Sequence, residues 1–517
     1  MAIDVQLDTL EAKGLIRVAA ARPELEYLFR HWLVQDAAYG SLLKQERKEL
    51  HRLVGEALEA LYPERGAELA GVLAIHFNEA GDAIRAADYL IAAGNFAMDR
   101  NAIAEAYAAF DRARQVLPPA APDDDTAQRR RRVEIEVGRS RAGWSFLSVD
   151  GMVADLDRIL PEAEALAEPD LLAPIHLALA MARMQLGEAA SDPAVKRSLD
   201  RIAEIGEQIH DPTLRALQLA VVGLTQVFTG PIRDGVASLE QAVPLLEQRR
   251  DAIGASFARG ALAMGYAHLG EFEKAEKAAQ YALDIAADGD VISQLDAQIA
   301  MSMVHSVQGR LDEAVPLAQA CVQRSDETGA SACAMVSLWI LGDVYQRQGR
   351  PAEARPLLQR GADLALVVDR MMWRPSLQAW LGTSATALGD FAAAEGSWEE
   401  ALATTRAIGN RFGESGILWK RAEALAARGE HGAAWDDFAA SAAILEEFGA
   451  RPQLARVLRG WGESLRAGGD TVRGDATLRR AQALFEEMTM EPEAAAVRAS
   501  LAAASSSAGP SEPRSAS

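Results

Sequence analysis

Residues Leu262–Leu283 read LAMGYAHLGEFEKAEKAAQYAL. Two amphipathic helical segments flank Gly270, and the small residues Ala263, Ala275 and Ala282 punctuate them. The pattern returns along the chain. Gly270, Gly309, Gly349, Gly389, Gly429 and Gly469 stand 39 or 40 residues apart. Five residues after each comes a small side chain: Ala275, Ala314, Ala354, Ala394, Ala434 and Gly474. Seven further on the set is Ala282, Cys321, Gly361, Ala401, Ser441 and Ala481. Seven before each glycine it is Ala263, Ser302, Gly342, Gly382, Ala422 and Gly462. Aligned columns repeated at one period mark an internal repeat.

The columns have a physical reading. Two antiparallel helices joined by a short turn approach closely only where the facing side chains are small, and a glycine ends the first helix by adopting left-handed backbone geometry. One hairpin cannot bury its apolar stripe alone, so stacked copies share a continuous core and grow a superhelix. The signature resembles the tetratricopeptide repeat. LWILGDVYQRQGRPAEA (Leu338–Ala354) matches it through Leu341, Gly342, Tyr345, Gly349 and Ala354. The period near 40 exceeds the usual 34 of that repeat and implies longer helices, as in the repeats of signalling ATPases and maltose-type transcription activators. The fold class is therefore all-α, a tetratricopeptide-like superhelix of helical hairpins.

Composition agrees. Hydrophobic residues make up 49% of the 517, enough for a continuous core, and aromatics at 6% argue against a large sheet. A net charge of −21 repels phosphate backbones and disfavours nucleic acid or an anionic membrane as partner. Only Cys321 and Cys333 occur, which points to a reducing, cytoplasmic setting without a disulfide framework. No apolar run is long enough to span a bilayer.

Residues 1–62 stand outside the repeat. Val5–Val18 reads as a helix end, a stop at Gly14 and a strand. Arg22-Pro23 makes a turn, Leu25–Phe29 returns as a second strand, and two helices follow up to Pro63. Helix plus hairpin is the back half of a winged helix, so an uncovered apolar face is expected, closed by an upstream segment or by another polypeptide. Residues 63–118 read as the first repeat-like helices, with Gly81, Ala86 and Ala93 keeping the spacing of the columns. Residues 119–128 form a linker rich in Pro and Asp, 129–229 degenerate repeats and 230–490 regular ones. Gly230 falls one period ahead of Gly270, Ser198–Asp211 one period ahead of Ser238–Asp251, and an insertion lies around Gly187–Pro193. A capping helix over 491–504 and a disordered Ser/Pro-rich tail over 505–517 complete the chain.

The first part carries a more specific resemblance. LxxLExKGLI (Leu7–Ile16), YLFRHWLVQDAAYGSLL (Tyr27–Leu43) and ERKELHRLVGEALE (Glu46–Glu59) are similar to bacterial multidomain nucleotide cyclases. In that family a class III adenylate/guanylate cyclase domain precedes a STAND-type ATPase, a winged-helix junction and a tetratricopeptide array. The resemblance covers Leu7 to about Leu117 closely and the remainder by architecture. Neither the cyclase nor the ATPase domain is in this sequence, and it holds no GxxxxGK[ST] segment, so the family's catalytic residues have no positions here.

Chemistry is sparse. The eight histidines show no i,i+4 pair and the cysteines no CxxC, so neither a metal nor a cofactor is expected. No GxSxG or kinase motif occurs, and no catalytic residue is assigned. Arg129–Arg132 reads either as an anion site or as a solvated face paired with Asp123–Asp125, Glu134 and Glu136, and the second reading is preferred. Binding is the better prospect. First helices line the concave face of such arrays, and one column there reads Met264, Met303, Asp343, Thr383, Glu423 and Glu463. A turn earlier it reads Gly260, Ile299, Trp339, Ala379, Trp419 and Arg459. The expected groove is apolar at one end and acidic at the other, with Trp339 and Trp419 as anchors or, alternatively, as packing between repeats. The expected function is a non-catalytic sensor for a protein or peptide partner. By the resemblance it regulates a nucleotide cyclase–ATPase module in cis or in trans. The alternatives are a stand-alone scaffold and a fragment of a transcription regulator.

Overall fold

A computed structural model of the chain describes residues 2–20, 26–100, 102–121, 123–144, 147–188, 192–248, 252–287, 289, 291–368 and 370–507. The expected turn at Arg22-Pro23, part of the insertion before Pro193 and residues 508–517 of the tail lie outside them. Backbone contacts divide the chain into two compact units: Met1–Phe96 with Ala108–Asp124, and Ala97–Tyr107 with Asp125–Ser517.

In the first unit the helix α1 (Ala2–Ala12) ends at Gly14, whose φ of +70° turns the chain into an antiparallel hairpin of β1 (Ile16–Ala20) and β2 (Glu26–Phe29). Ile16 pairs with Phe29 and Val18 with Tyr27. The helices α2 (Trp32–Ser41), α3 (Lys44–Leu61), α4 (Gly66–Ala80), α5 (Ala83–Asp99) and α6 (Ile103–Val116) follow. Leu73, Phe77 and Ala86 form the buried centre. Gly55 admits the Phe77 ring, since a Cβ there would lie 2.9 Å from it. Gly94, one residue past the expected Ala93, admits Phe110 in the same way. Around the hairpin and α2 the apolar side chains of Val5, Leu28, Trp32, Leu33 and Leu43 are exposed, Trp32 to 65%.

The second unit is a run of helical hairpins: α7 (Thr126–Gly143), α8 (Val149–Leu166), α9 (Pro169–Gln185), α10 (Pro193–Ile205), α11 (Pro212–Thr229), α12 (Ile232–Gln248), α13 (Ala252–Leu269), α14 (Phe272–Ala286), α15 (Val291–Gln308) and α16 (Leu311–Thr328). It continues through α17 (Ser331–Arg347), α18 (Pro351–Val367), α19 (Arg374–Ala387), α20 (Phe391–Ile408), α21 (Arg411–Ala427), α22 (His431–Phe448), α23 (Arg451–Ala467) and α24 (Thr471–Glu487) to α25 (Glu491–Ser507). The last helix thus extends three residues beyond the expected 504. Helix starts are local in origin. The carboxylates of Asp125, Asp192, Asp211 and Asp390 accept first-turn N–H groups, and Pro169, Pro193 and Pro212 sit where no donor is needed. Arg130 and Arg132 lie along α7 and pair with Glu134, Glu168 and Glu162, whereas Glu136 is taken by Arg139 and Arg158.

Each of the six turn glycines has φ between +73° and +96°. The next residue's N–H reaches back to the carbonyl five earlier, as from Arg350 to Tyr345 at 2.8 Å and from Glu430 to Leu425 at 2.9 Å, which stops the helix. Alanines of the small columns, such as Ala275, Ala314, Ala401 and Ala481, are fully buried. At Gly462 an added Cβ would stand 2.7 Å from Leu478, and at Gly382 2.5 Å from the Trp398 indole nitrogen. Gly230 departs from the series: its φ of 165° is extended, and what it provides is room for the Phe448 ring. A second column ends the second helices, with Gly329, Gly409 and Gly449 left-handed and Thr489 holding φ +57° at the same phase. Asp369 stands at that phase between Gly329 and Gly409, and α19 starts at Arg374, three residues later than the period requires.

The superhelix returns on itself. Helices α11, α13 and α15 touch α21 and α23. Gln453 Nε2 donates to His268 Nδ1 at 2.6 Å across 185 residues of sequence. Arg456 Nη2 donates to the Val307 carbonyl at 2.7 Å. One turn of the coil therefore spans between four and five hairpins.

Thermal unfolding tests both column types. Gly382→Ala must push its Cβ against Trp398 and lowers stability by about 1–3 kcal/mol. Thr489→Gly relieves a left-handed β-branched residue worth about 1–2 kcal/mol, offset by glycine's greater freedom when unfolded, and raises stability by roughly 0.5–1 kcal/mol.

Candidate functional site

The first helices of the hairpins face the inside of the coil, and two cavities formed by the described residues lie along that face. The larger, about 760 Å³, is walled by Leu217, Phe257, Met264, Ile299, Val336 and Trp373. Its polar lining includes Arg141, Asp296, Cys333 and Arg370. Arg370 donates to the Trp144 carbonyl at 2.9 Å and lies over the Trp144 ring, so the late start of α19 leaves a loop that ties two turns of the coil together. Met372 N–H to the Gln185 carbonyl, 3.1 Å, is a second such tie. Burial, with Asp296 beside it, pushes the Cys333 thiol well above its ordinary range and leaves it protonated and unreactive.

The smaller cavity, about 130 Å³, is bordered by Met303, Trp339, Asp343, Trp380, Trp419 and Arg456. Phe228 and Trp373 border both cavities, their rings edge to face with centroids 5.1 Å apart. Indoles dominate the inner wall: Trp339 meets Trp380 edge-on at 5.7 Å, and the Lys420 ammonium sits 4.1 Å from the centre of the Trp419 ring.

The residues picked from the sequence columns separate. Met264 lines the larger cavity, as do Gly260 and Ile299. Met303, Trp339, Asp343 and Trp419 border the smaller one, Met303 and Trp419 being buried. Glu423 lies outside both, accepting from Trp419 Nε1 at 2.8 Å and Lys420 Nζ at 3.3 Å. Arg459 and Glu463 line neither cavity. The expected open acidic end is corrected here. Asp343 accepts from Trp380 Nε1 at 2.8 Å and pairs with Arg347 at 3.5 Å, and Glu423 is tied to Lys420. Burial alone would raise the Asp343 carboxyl, but Arg347, Lys420, the Trp380 N–H and Arg456 outweigh it and hold it below its ordinary value. Most of these partners are local: Arg347 and Lys420 stand on the same helices as Asp343 and Glu423, and Trp380 on the next inner helix. The coil's closure adds Arg456 from α23, which lies against α15. Arg456 and Phe228 were not in the sequence columns, because their relation to the site arises only when one turn meets the next. Arg347 was legible in principle, four residues after Asp343 on the same helix face.

Residues 293–366 match the tetratricopeptide repeat family. No curated protein matches the sequence. Among solved structures, the chain resembles a Rap protein complexed with Competence and Sporulation Factor, with 14% identity, a TM-score of 0.55, and 71% of this chain and 99% of that one covered. It also aligns with the Rap conjugation gene regulator of plasmid pLS20 in complex with the Phr* peptide, at 17% identity and a TM-score of 0.47, covering 70% and 97% of the two chains. A third alignment is with the APC/C hetero-tetramer Cut9–Hcn1, at 13% identity and a TM-score of 0.48, covering 90% and 92%. The chain therefore carries a tetratricopeptide repeat region in an all-α superhelical fold.

His268, at the contact between turns, gives a pH test. Burial pulls its pKa from 6.5 to about 4. Below pH 6.5 the unfolded chain takes up a proton that the folded one refuses, so stability is complete above that pH and falls as the pH drops towards 4. Between pH 7 and 4 the protein loses about 3 kcal/mol more than the His268→Gln variant, measured by urea unfolding.

Proposed function

We propose that the second unit is a non-catalytic protein-interaction array whose larger cavity seats an apolar segment of a peptide or protein partner. The observation that carries this reading is the cavity itself: about 760 Å³ of concave, mostly apolar space on the inner helices. Its volume suits several side chains at once, and its walls come from many hairpins, so occupancy bears directly on the coil's pitch. A ligand that favours one pitch over another turns the array into a sensor. The Rap protein that shares the fold was solved with Competence and Sporulation Factor bound, which supports a captured factor as the input.

The output follows from the first unit. By the resemblance of residues Leu7 to about Leu117, the array regulates a nucleotide cyclase–ATPase module, in the same polypeptide or in trans. The exposed Trp32, Leu33 and Leu43 beside the hairpin favour a covering partner at that end. A stand-alone scaffold is the alternative, and it predicts that adding the chain leaves cyclase turnover unchanged.

A fluorescence-anisotropy screen of labelled apolar peptides tests the input. Binders are expected, and Met264→Lys, which places a charge in the cavity wall, weakens them at least about tenfold, or 1.4 kcal/mol, without moving the thermal midpoint. Binding indifferent to Met264→Lys removes the cavity from the reading, and a screen without binders removes the peptide.

A further inference from the structure

The smaller cavity presents donors that lack acceptors, beside one orphan acceptor, Gln453 Oε1. Arg456 is 6% exposed and borders it. Its Nη2 is committed to the Val307 carbonyl at 2.7 Å and to Glu493 at 3.1 Å, whereas Nε and Nη1 make no hydrogen bond. On the same wall the Trp339 indole N–H is buried without an acceptor. Asp343, the one carboxylate among the described lining residues, is engaged by Trp380, Arg347 and Ser306 and accepts from neither Arg456 nor Trp339.

Charge points the same way as hydrogen bonding. Burial, and then Arg347 beside it, pull Arg456 down to about 9 against the opposing effect of Glu493 and Asp343. A further anion placed against its free N–H groups would offset that burial. Around it the walls are aromatic: Trp339 faces Trp380 at 5.7 Å and Trp373 at 6.3 Å. At about 130 Å³ the space excludes a folded partner or a long peptide and accepts a small molecule.

We propose that this cavity is a second binding site, for a small aromatic carboxylate whose anion takes the uncommitted N–H groups of Arg456 and whose ring lies among Trp339, Trp373 and Trp380. The site stands apart from the peptide reading of the larger cavity and survives its failure. Because Arg456 also holds the Val307 carbonyl across the coil, the bound anion stiffens the contact between turns. Phe228 and Trp373 separate the two cavities, so the small ligand and the larger one share a wall through which each changes the other's affinity.

The probe is phenylacetate, with phenylacetamide as its uncharged counterpart, titrated into the full chain while tryptophan emission and the thermal midpoint are followed. Phenylacetate is expected to give a saturable change in emission at millimolar concentration and to raise the midpoint, with the amide at least tenfold weaker. Arg456→Gln abolishes the response. Since Arg456 also ties two turns, Trp339→Phe serves as the second variant: it keeps the ring, removes the orphan donor, and shifts the acid-over-amide preference. Equal binding of acid and amide, no saturable response to phenylacetate, or a response unchanged in both variants overturns the site.

Discussion

A single buried guanidinium ties the coil to itself. Arg456 lies on α23, yet its nearest acceptor is the carbonyl of Val307, 149 residues earlier on α15, and its counter-charge is Glu493 on α25. Opening the seam leaves Glu493 in place but strips the guanidinium of the Val307 carbonyl, a loss of about 1.5–3 kcal/mol for a buried hydrogen bond from a charged group. His268 and Gln453 cross the same seam as a neutral hydrogen bond, with the Phe412 ring edge-on to the imidazole at a centroid distance of 5.2 Å. The inner face is therefore no open groove. It holds cavities whose walls belong to helices far apart in sequence.

The closure depends on how near the helices of each hairpin lie. At Gly342, Gly382 and Gly462 even a methyl group would collide with the opposite helix, and the alanines of the other columns are fully buried. Close pairs of long helices stack with a rotation per repeat large enough for the coil to meet itself within five hairpins. Larger residues in the columns would widen each hairpin and change that rotation. Local packing and the geometry of the binding face are thus one problem.

This division also explains what the sequence made legible. The period, the turn glycines and the small columns are nearest-neighbour properties, and a chain of identical contacts repeats them in plain view. Met264 could be placed on the inner face because that position follows from helix phase alone. The second glycine column of Gly329, Gly409 and Gly449 was equally available but is broken by Asp369 and by Thr489, which hides its period. The charge balance was legible only in part: Arg347 and Lys420 stand within four residues of Asp343 and Glu423 on the same helices, whereas Arg456 arrives from the next turn. Asp343, Glu423 and Glu463 form an acidic column along the chain, but Arg347, Lys420 and Arg456 enter the same space from the helix faces and from the next turn. A pattern read one repeat at a time cannot contain a contact made four repeats later.

The central claim is that turns separated by 185 residues bear directly on one another, and a double-mutant cycle on His268 and Gln453 measures it most directly. His268→Ala, Gln453→Ala and the double variant are compared by equilibrium urea unfolding at neutral pH. Contact across the seam predicts a coupling energy of about 0.5–3 kcal/mol between the two positions. Additivity within about 0.3 kcal/mol would contradict it and return the inner face to an open groove.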